Sequence, residues 1–211
     1  MALFFSKKLE SGATISVWEI VESEKELLSL SSIPSDELEE LSLIKSSDRR
    51  REKLAVRALL NQLFGEKVYL GHHDNGRPFL QNSLIEISIS HTKRFVAIIT
   101  HPEESVGIDI ESLDRDFTAV EKKALSEEEI DDLSDKNRQL HLAIYWCAKE
   151  AIYKRMSISE VDFANQIEIK RFTPRDEGDI KANFIKSDGE EIEFDLEYMV
   201  FENHVMVWLV G

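Results

Sequence analysis

Along the chain, stretches with every second residue apolar alternate with stretches where apolar residues return every three or four positions. Thr14–Val21 (TISVWEIV) is β-branched and aromatic and reads as a strand. Pro34-Ser35-Asp36-Glu37 marks a helix start, with Leu38, Leu41 and Ile44 on one face. Ser47 or Asp48 can cap a second helix, in which Leu54, Ala58, Leu59 and Leu63 recur before Gly65. After the turn cluster Asp74–Pro78, the alternating Ile85–Ser90 predicts a strand, and the continuous Arg94–Thr100 one buried on both faces. Ser105–Ile110 predicts another strand, Phe117–Leu125 and Glu127–Leu133 two short helices, the second capped by Ser126, and Arg138–Met156 one long helix. Residues 167–210 read mostly as strands, with Asp188-Gly189 joining Ala182–Ile185 to Glu191–Val200 as a hairpin and Asn203-His204 leading into Val205–Val210. Each half thus carries helices and a few antiparallel strands, an α+β pattern rather than βαβ, with a ligand cleft expected between the halves.

Composition narrows the class. The 211 residues suffice for one large or two small domains, and 42% hydrophobic content supports a core. The lone Cys147 forbids an internal disulfide and suits a reducing compartment. MALFFSKKLE has a four-residue apolar run followed by two lysines, unlike a secretion signal, and nothing approaches the ~18 apolar residues of a membrane span. A cytoplasmic protein is expected. The net charge of −15 is uneven: residues 1–105 carry 13 basic and 16 acidic side chains, residues 106–211 carry 13 and 25. Such a chain repels nucleic acid and anionic membrane at long range, yet a local contact with a small anion stays open. Lys45, Arg49, Arg50, Arg51, Lys53 and Arg57 form a basic stretch against that trend.

Candidate chemistry is concentrated in acidic residues. Asp109 and Glu111, two apart on a strand, point to one face while Ile108 and Ile110 point into the core. Gly107 lets another backbone or a ligand come close. On the long helix Glu150 lies one turn before Lys154 and one turn after Trp146. Three carboxylates suit a hard cation such as magnesium, which can bridge a pyrophosphate, with Lys154 on a phosphate oxygen. Taken singly, each pair is more often a solvated strand face or a surface pair worth a few tenths of a kcal/mol; only the combination argues for a site.

Gly76-Arg77-Pro78, Ile89-Ser90-His91-Thr92, Val106–Glu111 (VGIDIE) and Trp146–Lys154 (WCAKEAIYK) follow in an order and spacing that resembles the Sfp-type 4'-phosphopantetheinyl transferase superfamily. The likeness covers about residues 76–154, extended less specifically by the basic helix. Thr92 stands where serine is commoner. The resemblance implies an α+β pseudo-dimer of two similar halves, each a small, mostly antiparallel sheet with helices. Residues 1–104 would be the nucleotide side and 105–211 the metal and catalytic side. It implies Asp109, Glu111 and Glu150 as magnesium ligands, and Lys154 on the pyrophosphate of coenzyme A. Ser90, His91 and Arg77 would contact coenzyme A. Arg51 and Arg57 would hold its 3'-phosphate, with Arg49 and Arg50 as neighbouring alternatives. The implied reaction moves phosphopantetheine from coenzyme A to a serine of an apo acyl or peptidyl carrier protein and releases adenosine 3',5'-bisphosphate. Glu150 or a metal-held water would act as base, and two halves in one chain suggest a monomer.

Other residues read as structural. His72 and His73 belong to a solvated loop; His101 and His204 stabilise turns. Cys147 has no histidine partner by motif, and Trp18, Trp146 and Trp208 are core residues. The cluster Glu127-Glu128-Glu129 with Asp131-Asp132 is expected to be exposed at a helix start, where acids suit the dipole. Two other readings compete: a metal-dependent phosphodiesterase or nuclease, and a coenzyme A-binding relative without activity.

Overall fold

The computed structural model describes residues 3–65, 68–81, 83–158 and 160–211; Met1 and Ala2 of the N-terminal apolar run lie outside it, as does the side chain of Asp36. The first part of the chain runs β1 (Leu3–Lys8), β2 (Thr14–Glu19), α1 (Glu24–Leu30), α2 (Ser35–Leu43), α3 (Ser47–Phe64), β3 (Leu70–His72), β4 (Pro78–Leu80), β5 (Glu86–His91) and β6 (Phe95–His101). The second runs β7 (Val106–Ser112), α4 (Thr118–Ala124), α5 (Glu127–Asp132), α6 (Arg138–Met156), α7 (Phe163–Gln166), β8 (Ile167–Ile169), β9 (Glu177–Ile185), β10 (Glu191–Phe201) and β11 (His204–Val210). The fold is mixed α+β with antiparallel sheets. One sheet has the order β1-β2-β6-β5, the other β7-β11-β10-β9-β8, and β3 pairs with β4 as a small hairpin.

Each large sheet is covered on one face by the helix that its apolar spacing predicts. From α3, Leu54, Ala55, Ala58 and Leu59 pack with Trp18, Ile87, Val96 and Ile98. From α6, Ala143, Ile144, Ala148, Ala151 and Ile152 pack with Phe184, Leu196, Val205, Val207 and Leu209. The opposite faces meet each other: Ile15, Val17, Phe95, Ala97 and Ile99 form one apolar cluster with Val106, Ile108, Ile110, Met206 and Trp208. This explains the unbroken apolar run of β6, which is buried by α3 on one side and by the second sheet on the other.

The edge strands β5 and β7 complete the join. Ser88 Oγ accepts from the Ile108 amide (3.2 Å) and Ser90 Oγ from the Ile110 amide (3.3 Å). Two unpaired edges, each open to stray pairing alone, thereby cover one another. Gly107 sits where α6 crosses β7. A Cβ there would overlap the Ala151 carbonyl and come within 2.9 Å of Leu209 Cδ2. The expected close backbone approach is therefore the packing of α6 itself, and it sets how near Glu150 lies to β7.

Candidate functional site

The site forms where β7, α6 and β5 meet. Asp109 points from β7 out of the shared core yet is only 4% exposed. Its Oδ1 accepts from Ser90 Oγ (2.7 Å) and from Lys154 Nζ (2.7 Å), and Lys154 also donates to the Ile108 carbonyl (3.1 Å). The i, i+4 spacing suggested Lys154 beside Glu150. The ammonium turns instead to Asp109, while its charge still acts on Glu150. Two residues on, Glu111 Oε1 accepts from Trp146 Nε1 (3.0 Å) and pairs with Arg115. Trp146, on α6, is thus half-buried with its indole N–H committed to the site rather than to the core.

Electrostatics show what this cluster lacks. Burial, then the negative charge of Asp109, pushes the Glu150 carboxyl up to about 7. The same two causes raise Glu111. Among the described residues, Asp109 Oδ2 is buried without a hydrogen-bond partner. Three acids face two cations, Lys154 and Arg115, and a buried carboxylate oxygen remains unanswered. This donor set fits a divalent ion that prefers oxygen ligands. Among the described residues, no three His, Cys, Asp or Glu side chains already converge into a ligand set.

The N-terminal half contributes positive charge and hydrogen-bond donors. Arg49 Nη1 lies 3.1 Å from His91 Nε2 and 3.0 Å from Glu52 Oε2. A guanidinium can only donate, so His91 Nε2 accepts and its proton sits on Nδ1, which faces Glu52 at 3.4 Å. Burial lowers the His91 pKa further, with Glu52 opposing. The other arginines of α3 are engaged elsewhere. Arg50 pairs with Glu24, Arg51 donates to the carbonyls of Glu22 and Ile20, and Arg57 is buried and paired with Glu37. Of the four, Arg49 is the one that the structure brings to His91.

Arg77 pairs with Glu86 beside a cavity of about 250 Å³ between the halves. Its walls include Gly76, Pro78, Ile87 and Ile89 from one half and Tyr153 and Lys154 from the other. Asn75 Nδ2 donates to the Ser157 carbonyl (2.6 Å), and both residues line the cavity. The Gly76-Arg77-Pro78 turn therefore faces the end of α6 that carries Lys154.

Two further expectations are overturned. Helix α3 is capped not by Ser47 or Asp48 but by Ser46, whose hydroxyl accepts the Arg49 amide (3.3 Å). Glu129 is not exposed at the start of α5: it is 3% exposed and paired at 2.7 Å with Lys149, which is fully buried on α6. Its carboxylate also accepts from the Ser126 and Ile169 amides (both 2.9 Å), while Lys149 donates to the carbonyls of Phe163 and Ile167. The capping box with Ser126 turns Glu129 back to the helix start, but the same box at Ser23 leaves Glu26 exposed, so the burial of Glu129 comes from the packing of α5 on α6. Lys149 adjoins Glu150, so this pair anchors the helix segment that carries the site. Cys147 is buried and its thiol pKa pushed well up by that burial, consistent with an inert role. Trp18 and Trp208 are core residues, as expected.

Residues 105–206 match the family model of the 4'-phosphopantetheinyl transferase superfamily. The chain is also 34% identical over 99 residues to a protein of Haemophilus influenzae named "Putative 4'-phosphopantetheinyl transferase", a match covering 44% of this chain and 42% of that protein. The chain thus matches about two fifths of that curated relative's length. The matched family segment contains β7 and α6, and with them Asp109, Glu111, Glu150 and Lys154.

Proposed function

From the match of residues 105–206 to the family model of the 4'-phosphopantetheinyl transferase superfamily, we propose that the chain is a member of that superfamily and transfers the phosphopantetheine arm of coenzyme A to a serine of an apo acyl or peptidyl carrier protein. The observation that carries this reading is the acidic cluster of β7 and α6, short of positive charge and joined through Ser90 to the other half. Asp109, Glu111 and Glu150 would hold magnesium, which when bound would neutralise charge gathering on the pyrophosphate as its P–O bond breaks.

The chain's own residues account for the remainder. Residues 1–104 form the nucleotide side, where Arg49 and Arg77 donate to the phosphates of coenzyme A and His91 sits beside them with its Nε2 held by Arg49. Lys154 reaches over from 105–211 as a point charge for the pyrophosphate. The carrier serine oxygen forms a bond to the phosphorus bearing pantetheine, and adenosine 3',5'-bisphosphate departs with the electrons of the broken P–O bond. Glu150, or a water held by the metal, would take the serine proton. Among the described residues no helix is long and apolar enough to cross a membrane.

The test is chromatography of coenzyme A with magnesium, with and without apo carrier. Cleavage to adenosine 3',5'-bisphosphate only when the carrier is present supports transfer. Cleavage without carrier points to the phosphodiesterase reading, and binding without cleavage to an inactive coenzyme A-binding protein.

A further inference from the structure

The loop after β7 places a cation directly on one of the proposed metal ligands. Arg115 pairs with Glu111 at Oε1, the same oxygen that accepts from Trp146. The guanidinium lies over two rings, 5.2 Å from the centroid of Phe117 and 5.3 Å from that of Trp146. The backbone beneath it is also held: the Arg115 amide donates to the Ser112 carbonyl (3.1 Å), the Leu113 amide to Asn203 (2.9 Å), and Gln139 Nε2 to the Leu113 and Arg115 carbonyls. An ordinary exposed pair is free to wander, whereas this one is fixed by stacking and by the loop.

We infer that Arg115 is a built-in counter-cation that occupies Glu111 until a divalent ion arrives, so that metal loading and the Arg115–Glu111 pair compete. The inference rests on the metal reading proposed above. Both cations draw on one carboxylate, and a guanidinium left beside a divalent ion is repelled by it. Until then Arg115 keeps Glu111 in place beside Asp109 and Glu150, where like charges would otherwise drive the acids apart. Its side chain is 40% exposed, so it can swing out without leaving an unpaired charge in the core.

The experiment measures Mn2+ binding to the full chain by the electron paramagnetic resonance signal of the free ion, without coenzyme A. Arg115→Gln removes the competing charge and should tighten Mn2+ binding about three- to fivefold, the range expected for losing a partly exposed pair. Arg115→Lys keeps the charge and should stay within about twofold of the parent. Melting curves establish that both variants are folded. Unchanged or weaker binding in Arg115→Gln overturns the inference, because the arginine would then be neutral or helpful to the ion. A parent protein that binds no Mn2+ overturns the metal reading itself, a result distinct from equal binding in parent and variant.

Discussion

Replacing Lys149 with Met should destabilise the protein far more than a typical lysine change. Its side chain is 0% exposed and that of Glu129 3%, and the ammonium meets three oxygens: Glu129 at 2.7 Å, Phe163 at 2.8 Å and Ile167 at 2.6 Å. Burial already pulls the Lys149 pKa below its ordinary value, with Glu129 opposing, so the charge is maintained by its partners. Methionine fills similar space but strands a buried carboxylate. Removing one member of such a pair costs about 3–5 kcal/mol, against a total stability of about 5–15 kcal/mol for a domain. For a chain of this size the melting temperature should fall by about 10 °C. Urea titration followed by circular dichroism measures the cost. Lys149→Met with Glu129→Gln removes both charges and should cost less than the two single changes added together, by at least about 1 kcal/mol. A single-variant cost under about 1 kcal/mol, or strict additivity, would refute the view that a buried ion pair anchors α6.

Further expectations concern packing, ligand binding and pH. Gly107→Ala forces α6 off β7 and should cost about 1–3 kcal/mol; the transfer rate should fall with it, because Glu150 moves with the helix. Arg49→Ala should raise the KM for coenzyme A by about tenfold or more, the value of a charged hydrogen bond. Arg51→Ala, which loses bonds to the Glu22 and Ile20 carbonyls, should lower the melting temperature and leave KM near the parent value. His141 is buried and accepts the Ser134 amide at Nδ1 (3.0 Å), and burial holds its pKa below the usual 6.5, with Asp132 opposing. Below pH 6.5 the unfolded chain therefore binds more protons at this residue. Its contribution is present above that pH and lost as pH falls through the lowered folded value. Melting curves of His141→Phe between pH 7 and 5 should be flatter than those of the parent; equal slopes would sink the assignment.

Periodicity reveals elements that bury a wide face and misses those that do not. The helix of α6 and the doubly buried strand β6 stand out because apolar residues fill most of the positions that packing demands. Strand β1 escapes notice because it is a largely exposed edge, with Phe4 still 40% exposed. Helix α1 is only seven residues long and is announced mainly by the Ser23–Glu26 capping box. The strands β3 and β4 have three residues each, too few for alternation to register around the Asp74–Pro78 turn. Within the site, the two-residue spacing of Asp109 and Glu111 and the helical spacing of Trp146, Glu150 and Lys154 are local and legible. The bond from Ser90 to Asp109, the turn of Lys154 toward β7 and the choice of Arg49 within α3 depend on how two sheets meet. No local pattern encodes them. Glu129 and Lys149 look like surface charges for the same reason: burial is a property of the assembled fold.

The most direct measurement is the intact mass of an apo carrier protein after incubation with coenzyme A and magnesium, using the parent chain and Asp109→Ala. Gain of one phosphopantetheine on the carrier serine with the parent, and none with a folded Asp109→Ala, is the predicted result. A carrier left unchanged by the parent across a panel of acyl and peptidyl carriers, or modified equally well by Asp109→Ala, would contradict the account.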